Sequence, residues 1–222
     1  MNYAFDWSVV LRPEAWLNAI GVTLAYGIAT TLAGLVIGLL LGLILISGFR
    51  AGRWAVNVFI GIFRCTPALI QIVWFYYAFP MVLSVNMPAW LAAGCGLTFY
   101  MAAFSAEIFR GGIESIERGQ WYASRSLCLP YWKTMYYVIL PQTFRRMTAP
   151  IVNQSIIQFK NTSLLSVVSV HDIMYTANGI TAATYRPLEV FTFAALLYIV
   201  LIWPLATIAV RFERAMNQKN TI

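Results

Sequence analysis

Residues 19–46 read AIGVTLAYGIATTLAGLVIGLLLGLILI and contain no charged side chain. About 20 predominantly apolar residues are enough for a helix to cross a lipid bilayer. The stretch therefore predicts a membrane-spanning helix. Gly34, Gly38 and Gly42 recur every fourth residue within it. Because that spacing places all three on one face of the helix, we expect a second helix to pack closely against this face.

The composition of the whole chain also indicates a membrane protein. Of its 222 residues, 60% are hydrophobic and only 10% are charged, whereas soluble domains carry about 25% charged residues. This composition excludes a disordered chain, a fibrous protein and most soluble enzymes. The net charge of +7 is typical of cytoplasmic loops rich in Lys and Arg. No nucleic acid partner is expected.

Four further apolar runs follow the first. Together they predict an all-α, polytopic membrane protein that forms one domain, residues 19–210, in the lipid bilayer. Residues 1–18 are predicted to be an N-terminal interfacial segment, and residues 211–222 a cytoplasmic tail. The five predicted transmembrane helices cover about 19–46, 55–79, 89–109, 149–168 and 190–210.

The basic residues indicate the orientation of these helices. Most of them follow the first span, lie between the third and fourth spans, or follow the fifth. The positive-inside rule then places the N-terminus outside and the C-terminus in the cytoplasm, and an odd number of spans requires opposite ends. The residues on the predicted inner side are Arg50, Arg53, Arg110, Arg118, Arg125, Lys133, Arg145, Arg146, Arg211, Arg214 and Lys219. Those on the outer side are Arg12 and Arg186.

Few side chains are available for catalysis or metal binding. The chain has a single histidine, His171, and three widely separated cysteines, Cys65, Cys95 and Cys128. A zinc site, a disulfide framework and a His-dependent triad are therefore not expected. No GxxxxGK[ST] phosphate-binding loop is present. We predict no catalytic residue, no metal ligand and no enzymatic activity of this chain.

The loop predicted between the third and fourth spans, residues 110–146, is rich in aromatic residues. They come in three adjacent pairs, which suggests short helices whose faces something covers. Cys128-Leu129-Pro130 predicts the break between two of these helices. The pairs are either a docking surface for a cytoplasmic partner or side chains that pack on the span ends or at lipid headgroups. They are Trp121 and Tyr122, Tyr131 and Trp132, and Tyr136 and Tyr137.

This loop resembles the EAA loop of ABC-importer permeases. GQWYAS at 119–124 and VILPQ at 138–142 fit its pattern, with Tyr122 at the Glu position, Ala123 and Ser124 at the two Ala positions, and Cys128 at the Gly position. Tyr122 removes an ionic contact that the Glu could make with an ATPase. Cys128 is expected to take the turn only at a negative φ, since Gly reaches positive φ freely.

Three other segments are similar to the polar amino-acid branch of the same family, the histidine, glutamine and glutamate/aspartate type. They are FRCTP at 63–67, AEIFRGGI at 106–113 and KNTSL at 160–164. The resemblance implies a type I ABC-importer permease in the inner membrane of a bacterium, with a coupling-helix segment at about 110–146. The residues it places at the ATPase contact are Gly119, Trp121, Tyr122, Ala123, Ser124, Cys128 and Pro130.

The family also implies the partners of such a chain. A second permease copy or a homologous permease would complete the pore, and ABC ATPase subunits would bind ATP and Mg. This chain would need no cofactor of its own. An extracytoplasmic amino-acid-binding protein would deliver a polar L-amino acid. His171, Asp172 and Arg186 fall in the external loop where that protein would dock, although solvated loop residues are the simpler interpretation of each.

The fourth predicted span is the most polar. Gln154, Gln158, Asn161 and Thr162 fall within an arc of about 100°, and lipid cannot face such a stripe. Lys160 lies on its flank, where a charge in the bilayer costs at least about 2.5 kcal/mol. The stripe faces either a substrate path or a hydrogen-bond network between two permease subunits. With a span that is displaced along the chain, Lys160 would instead extend to the lipid interface. We expect a path, in which Lys160 and the amides contact the substrate carboxylate.

Other polar residues lie in the second and third spans. Gln71 is a weaker candidate for the substrate path. Glu107 and Arg110 have the i,i+3 spacing of a local ion pair and lie at the base of the coupling segment. Arg64 either extends to lipid phosphates or contacts a gate, together with Thr66. These four residues, Arg64, Thr66, Glu107 and Arg110, are predicted to be gate or structural residues.

An alternative function is secondary transport of a small polar solute driven by an ion gradient. Such transporters normally show inverted repeats with interrupted helices in both halves. The sequence shows no internal repeat and only one carboxylate, Glu107, that is expected within a span. The ATP-driven permease is therefore the favoured interpretation.

Overall fold

The computed structural model describes residues 4–218, and at residue 209 and residues 212–218 it describes the backbone alone. Within 4–218 every regular element is helical, which confirms the all-α prediction. The α-helices are α1 (Pro13–Ile46), α2 (Arg50–Cys65), α3 (Ala68–Val73), α4 (Phe79–Leu83), α5 (Ala89–Glu114), α6 (Arg118–Ser126), α7 (Tyr131–Thr134), α8 (Leu140–Asn161), α9 (Ile173–Thr184) and α10 (Pro187–Gln218).

Three of the described helices are long and apolar enough to cross a membrane. They are α1, α5 and the Pro187–Ile208 part of α10. A fourth crossing is available if α2 and the helical run from Ala68 to Leu83 count as one bent span. The prediction of five spans is thus matched in part.

The predicted second span, 55–79, is not one continuous helix. Arg50–Cys65 and Ala68–Leu83 meet at an angle of 108°. Pro67 has no amide hydrogen and disfavours helical geometry in the residue before it, and Thr66 is extended, with φ −108° and ψ 140°. Apolar composition predicted a span here, but it carries no information on the angle at the proline.

The predicted fourth span, 149–168, also differs from the structure. α8 begins earlier, at Leu140, and a 3-10 helix, Thr162–Val168, follows it directly. A π-helical turn, Met135–Ile139, joins α7 to α8, and a second one, Trp74–Ala78, joins α3 to α4. Each π turn ends just before a proline in the first turn of the next helix, Pro141 or Pro80. The wider turn accommodates a residue that cannot donate a helical hydrogen bond.

The centre of the fold is the close packing of α1 on α5. The three glycines predicted to form a packing face do so: Gly34 lies against Met101, Gly38 against Ser105 and Gly42 against Phe109. A Cβ atom added at Gly38 would come within 2.5 Å of the Ser105 Cβ atom and 2.9 Å of the Ala102 carbonyl oxygen. The backbones therefore approach at a distance that only glycine permits.

Helix α8 packs on both of these helices. Near its C-terminal end the buried Gln158 donates hydrogen bonds of 2.9 Å to Thr30 Oγ1 on α1 and to the Leu97 carbonyl on α5. About two turns into α8, Met147 covers Gly112. These contacts position the middle and the C-terminal part of α8 against α1 and α5.

The two ends of the chain differ in part from the predicted boundaries. The interfacial segment predicted at 1–18 contains a short 3-10 helix, Trp7–Val10, and α1 already begins at Pro13. The Asp6 amide donates to Glu189 Oε1 at 3.0 Å, which ties the segment to the start of α10. In the predicted tail, 211–222, α10 continues to Gln218. The Arg214 side chain and Lys219 lie outside the described residues.

Candidate functional site

The coupling segment is a pair of helices joined by a tight turn. α6 ends at Ser126 and α7 begins at Tyr131, which agrees with the break predicted at Cys128-Leu129-Pro130. The Leu129 amide donates to the Ser124 carbonyl at 3.1 Å and the Cys128 amide donates to the Arg125 carbonyl at 2.9 Å. This pair of bonds is a Schellman motif. The second helix is longer than predicted, because α7 continues through the π turn into α8.

Cys128 adopts φ 52°, so the expectation of a negative φ at this position is wrong. In a Schellman motif the residue after the C-cap is left-handed, and the two hydrogen bonds across the turn fix that geometry whatever the side chain. A left-handed non-glycine residue costs about 1–2 kcal/mol. The Cys128 turn therefore carries backbone strain that a glycine would remove.

The aromatic pairs of the coupling segment point largely away from the chain. Trp121 is half-buried and stacks on Tyr131, with the ring centroids 6.2 Å apart. Trp132 is 78% exposed. The structure does not show these pairs packing on the ends of the spans. A docking surface and a position at the lipid headgroups would both leave the rings exposed, as they are here. The other exposed aromatic residues are Tyr122, Tyr131, Tyr136 and Tyr137.

The remaining coupling residues divide into exposed and buried positions. Gly119, Ala123 and Pro130 are exposed, whereas Ser124 is buried and its hydroxyl donates to the Gln120 carbonyl at 2.8 Å. Gln142 on α8 donates to Gln120 Oε1 at 3.3 Å. One long, exposed hydrogen bond thus links α8 to α6, and the aromatic face of α6 stays open.

The polar stripe of α8 lies mostly inside the chain. Gln154, Gln158 and Thr162 are buried, and Asn161 is half-buried. The Nε2 atom of Gln154, the Oε1 atom of Gln158 and the Nδ2 atom of Asn161 are buried with no hydrogen-bond partner among the described residues. Lys160 is the exposed member of the predicted set. The stripe thus faces the interior of the chain, whereas Lys160 faces its surface.

Lys160 lines an open groove between α8 and α10 with a volume of about 780 Å³. Ser163 lies beside it, and Tyr198, Trp203 and Arg211 belong to the facing side of α10. These α10 residues were not among the predicted site residues. The sequence signal for these residues is that polar or amphipathic side chains recur within an apolar helix. This signal does not show that α10 is the helix that faces Lys160.

Gln71 is 5% exposed and lies at the bend between α2 and α3. Its Nε2 atom donates to the carbonyls of Phe63 and Thr66, at 2.7 and 3.0 Å, and to Thr66 Oγ1 at 2.9 Å. The Thr66 hydroxyl in turn donates to the Ile62 carbonyl at 2.8 Å. Gln71 therefore satisfies carbonyls that the end of α2 leaves without helical donors.

Three of the predicted gate or structural residues, Arg64, Glu107 and Arg110, form a row of alternating charges with Glu114 where the end of α2 meets α5. Glu107 Oε2 accepts from Arg110 Nη2 at 2.6 Å and lies 3.7 Å from Arg64 Nη1. Arg110 Nη1 also donates to Glu114 Oε2 at 2.5 Å. The Arg64 guanidinium carbon is 5.4 Å from the centre of the Phe104 ring. Glu114 was not among the predicted residues, although its i,i+4 spacing from Arg110 is a signal for an ion pair.

Asp172 is fully buried, which contradicts its interpretation as a solvated loop charge. It precedes α9 and accepts a hydrogen bond from the Tyr175 amide at 2.8 Å and from the Tyr198 hydroxyl at 3.3 Å. Burial raises the pKa of Asp172 to about 6, and these hydrogen bonds oppose the shift. The exposed His171 packs against Tyr175, with 4.4 Å between the ring centroids and the ring planes tilted by 58°.

Comparison with known proteins matches nearly the whole chain. Residues 14–221 match the family described as binding-protein-dependent transport system inner membrane component. The chain is 33% identical over 220 residues to the arginine transport system permease protein ArtQ of Bacillus subtilis (strain 168), covering 99% of this chain and 100% of ArtQ. It is 35% identical over 224 residues to the glutamine transport system permease protein GlnP of Escherichia coli (strain K12), covering 96% and 98%.

Solved structures give the same result for the fold. A crystal structure described as an amino acid ABC transporter with histidines superposes with a TM-score of 0.90 at 28% identity, covering 96% of this chain and 100% of that one. The methionine ABC transporter MetNI, in an inward-facing conformation, superposes with a TM-score of 0.74 at 20% identity, covering 92% and 98%. At that identity the second likeness concerns the fold alone.

Proposed function

The chain belongs to the binding-protein-dependent transport system inner membrane component family, and we propose that it is the permease subunit of an ATP-driven importer for a polar amino acid. Its relatives are named as arginine and glutamine transport system permeases, and a glutamate/aspartate import permease, GltK, is 31% identical over 207 residues. These names support an amino acid as the substrate. The ion-gradient alternative has no support among them.

The observation that carries this function is the exposed aromatic surface of the coupling segment. Tyr122, Tyr131 and Trp132 are more than half exposed on two helices that a Schellman turn holds in a fixed geometry. Exposed aromatic side chains on a rigid support are typical anchors of protein interfaces. We assign this surface to an ATPase subunit, because the chain has no phosphate-binding loop of its own. The ATPase would bind ATP and Mg.

The membrane arrangement follows from the same proposal. The five crossings would be α1, the bent pair α2 and α3–α4, α5, α8 with its 3-10 extension, and α10. The N-terminus would lie outside and the C-terminus in the cytoplasm of a bacterium, as the basic residues favour. The external ends of the helices would receive an amino-acid-binding protein, and a second permease, identical or homologous, would complete the pore.

We assign the substrate path to the groove beside Lys160 rather than to the whole polar stripe. The Nε2 groups of Gln71 and Gln158 are engaged within the chain, whereas Lys160 is exposed toward a groove large enough for an amino acid. Gln154, Asn161 and Thr162 would support α8 behind it. Lys160→Ala is expected to lower uptake while ATPase stimulation persists; unchanged uptake would remove Lys160 from the path.

The deciding experiment is purification of the tagged chain in mild detergent from the cells that make it, followed by uptake in vesicles. We expect an ATPase subunit to co-purify at about one per permease, and labelled amino acid to enter vesicles only when ATP is supplied. Trp132→Ala should weaken the association. Trp54→Ala is the matched control, since Trp54 is 71% exposed but lies on α2.

The opposite results are equally clear. A chain that purifies alone and moves solute without ATP would contradict the importer. Equal loss of the ATPase in the Trp54→Ala and Trp132→Ala variants would contradict the assignment of the docking surface, since the two tryptophans differ mainly in location.

A further inference from the structure

The corner between α2 and α3 is held by the side chain of Gln71. An amide NH₂ group has two hydrogens, and three oxygen atoms, two carbonyls and a threonine hydroxyl, lie within 3.0 Å of the Gln71 nitrogen. Each of these oxygens belongs to residues 63–66, at the end of α2. Gln71 therefore fixes the direction in which α2 ends, and with it the position of Arg64.

The chemistry of this contact requires a donor. A glutamate at position 71 has the same shape but is acceptor-only when ionised, and it would face three oxygen atoms. A methionine has the same length and no donor. Gln71→Glu and Gln71→Met thus both remove the donor of residue 71 while keeping a side chain of similar size. In Gln71→Glu the carboxylate is also repelled by the neighbouring oxygen atoms, and in Gln71→Met it is not.

Arg64, on α2, stands at the weak end of the charge row. Its nitrogen is 3.7 Å from the Glu107 carboxylate, beyond a hydrogen bond, whereas Arg110 binds the same oxygen at 2.6 Å. The Arg64 side chain is 44% exposed. The Arg64–Glu107 pair is therefore the contact in the row that a small displacement of α5 against α2 changes most.

The other end of the row reaches the coupling segment. Glu114, bound to Arg110, is the last residue of α5. The next residue, Ser115, accepts a hydrogen bond through its carbonyl from the Arg146 side chain on α8. Gln142 on the same helix is hydrogen-bonded to Gln120 of α6. These contacts form a continuous route of side chains from α6 through α8 to the cytoplasmic end of α5.

We propose that Gln71 is a positioning residue that holds Arg64 against Glu107, and that this pair links the coupling segment to the α2–α3 corner so that ATP hydrolysis drives import. The inference rests on the proposed function. Loss of the link leaves ATP hydrolysis running and lowers the amount of amino acid imported per ATP. A role in folding alone lowers the amount of assembled transporter and leaves that ratio unchanged.

The test uses the complete transporter, purified with its ATPase and reconstituted in vesicles with its binding protein. Import and ATP hydrolysis are measured on the same vesicles, and their ratio is compared among variants. Gln71→Met, Gln71→Glu and Arg64→Gln are each expected to lower the ratio roughly fivefold or more, the lower range of coupling between distant sites. Arg64→Lys is expected to retain it, because a contact at 3.7 Å depends on charge rather than on hydrogen-bond geometry.

Two further variants complete the design. Glu107→Gln removes the carboxylate that both Arg64 and Arg110 contact, so it is expected to lower the ratio at least as far as Arg64→Gln does. Arg50→Gln is the matched control, because Arg50 is exposed at the start of the same helix. A wild-type ratio in Arg64→Gln and in every Gln71 variant that assembles would overturn the inference. A wild-type transporter without ATP-dependent import would overturn the proposed function instead, and the two failures are distinguishable.

Discussion

Asp172 is a buried carboxyl group whose ionisation opposes folding. Its burial raises the pKa to about 6, from an unfolded value of about 3.9. Between these two values the folded chain binds more protons than the unfolded chain, so its stability falls as the pH rises from about 4 to about 6. The two hydrogen bonds that Asp172 accepts reduce this cost without removing it.

Replacing Asp172 by asparagine should remove this pH dependence. Asn can accept the hydrogen bond from the Tyr175 amide, as Asn is an equally good N-cap residue, and it does not ionise. We expect Asp172→Asn to be at least as stable as the wild type above pH 6, by up to about 3 kcal/mol for a shift of two pKa units. Thermal unfolding in detergent from pH 4 to pH 7.5 measures the difference. A variant less stable than the wild type at pH 7.5 would contradict it.

Cys128 shows how a turn can impose a conformation on an unfavourable residue. The φ of 52° is the geometry that the Schellman hydrogen bonds require, and Leu127 and Leu129 on either side are not glycine either. The strain is local, so a substitution at this position changes the turn without changing a buried contact, since Cys128 is exposed.

We predict that Cys128→Gly preserves the coupling segment and that Cys128→Val disrupts it. Glycine reaches positive φ without steric cost, whereas a β-branched residue there is an outlier. Retention of the ATPase during purification is the measurement: Cys128→Gly should retain it at the wild-type level and Cys128→Val should lose most of it. Equal retention by both variants would show that the turn does not matter for the association.

At the scale of helices, the pairing of α1 with α5 depends on glycine at specific positions. Gly38 faces Ser105 and the α5 backbone, whereas Gly21, on the same helix, has no atom of another element within 4 Å of an added Cβ. Both glycines lie within α1, but only Gly38 is packed against another helix, so Gly21 is a matched control for a substitution at Gly38.

Gly38→Ala is expected to destabilise the protein by about 1–3 kcal/mol, the usual cost of overpacking, because the α5 backbone must move. Gly21→Ala should be neutral or slightly stabilising, since alanine is the better helix former. The fraction of protein that stays folded in detergent after heating distinguishes them. Equal stability of the two variants would contradict the prediction, because it would mean that the α1–α5 contact accepts a methyl group at position 38 without losing folding free energy.

The bend between α2 and α3 depends on two kinds of information: the break has a local signal in the sequence, and the angle does not. Pro67 is a local signal for an interruption that the predicted span of 55–79 did not include, and the structure contains a broken helix there. The angle of 108° is set elsewhere, by Gln71 and by the packing of Ile72 against Gly96, and neither contact is visible in the periodicity of either helix.

At the scale of the whole molecule, the proposed topology puts the α9–α10 turn and the coupling segment on opposite sides of the membrane. α8 with its 3-10 extension crosses between them. Leu188, 54% exposed, and Trp132 are suitable probes of the two sides. The positive-inside rule assigns Trp132 to the cytoplasm.

Labelling of single cysteines tests this arrangement. In a background with the native cysteines replaced, Cys128 by glycine, we expect Leu188→Cys to react with a membrane-impermeant maleimide in intact cells. Trp132→Cys should react only after the membrane is opened. Reaction of both cysteines in intact cells would exclude a crossing between them, and the reverse pattern would invert the topology.

The sequence by itself determined that the chain is an α-helical membrane permease. Apolar runs long enough to cross a bilayer, basic loops and the order of the short motifs are local properties, and each can be read without knowing which helices touch. The glycine face of α1 belongs to the same class, because its three residues lie on one helix and their spacing alone places them together.

Only the tertiary structure decided what the individual polar residues do. Gln71 serves the end of α2, Asp172 is covered by its neighbours, and Lys160 faces a groove whose other wall is α10. The physical reason is the same in each case. The partners that bury a side chain, bond it or leave it facing a cavity come from segments far away in sequence, and the pattern of one helix cannot specify the surface of another.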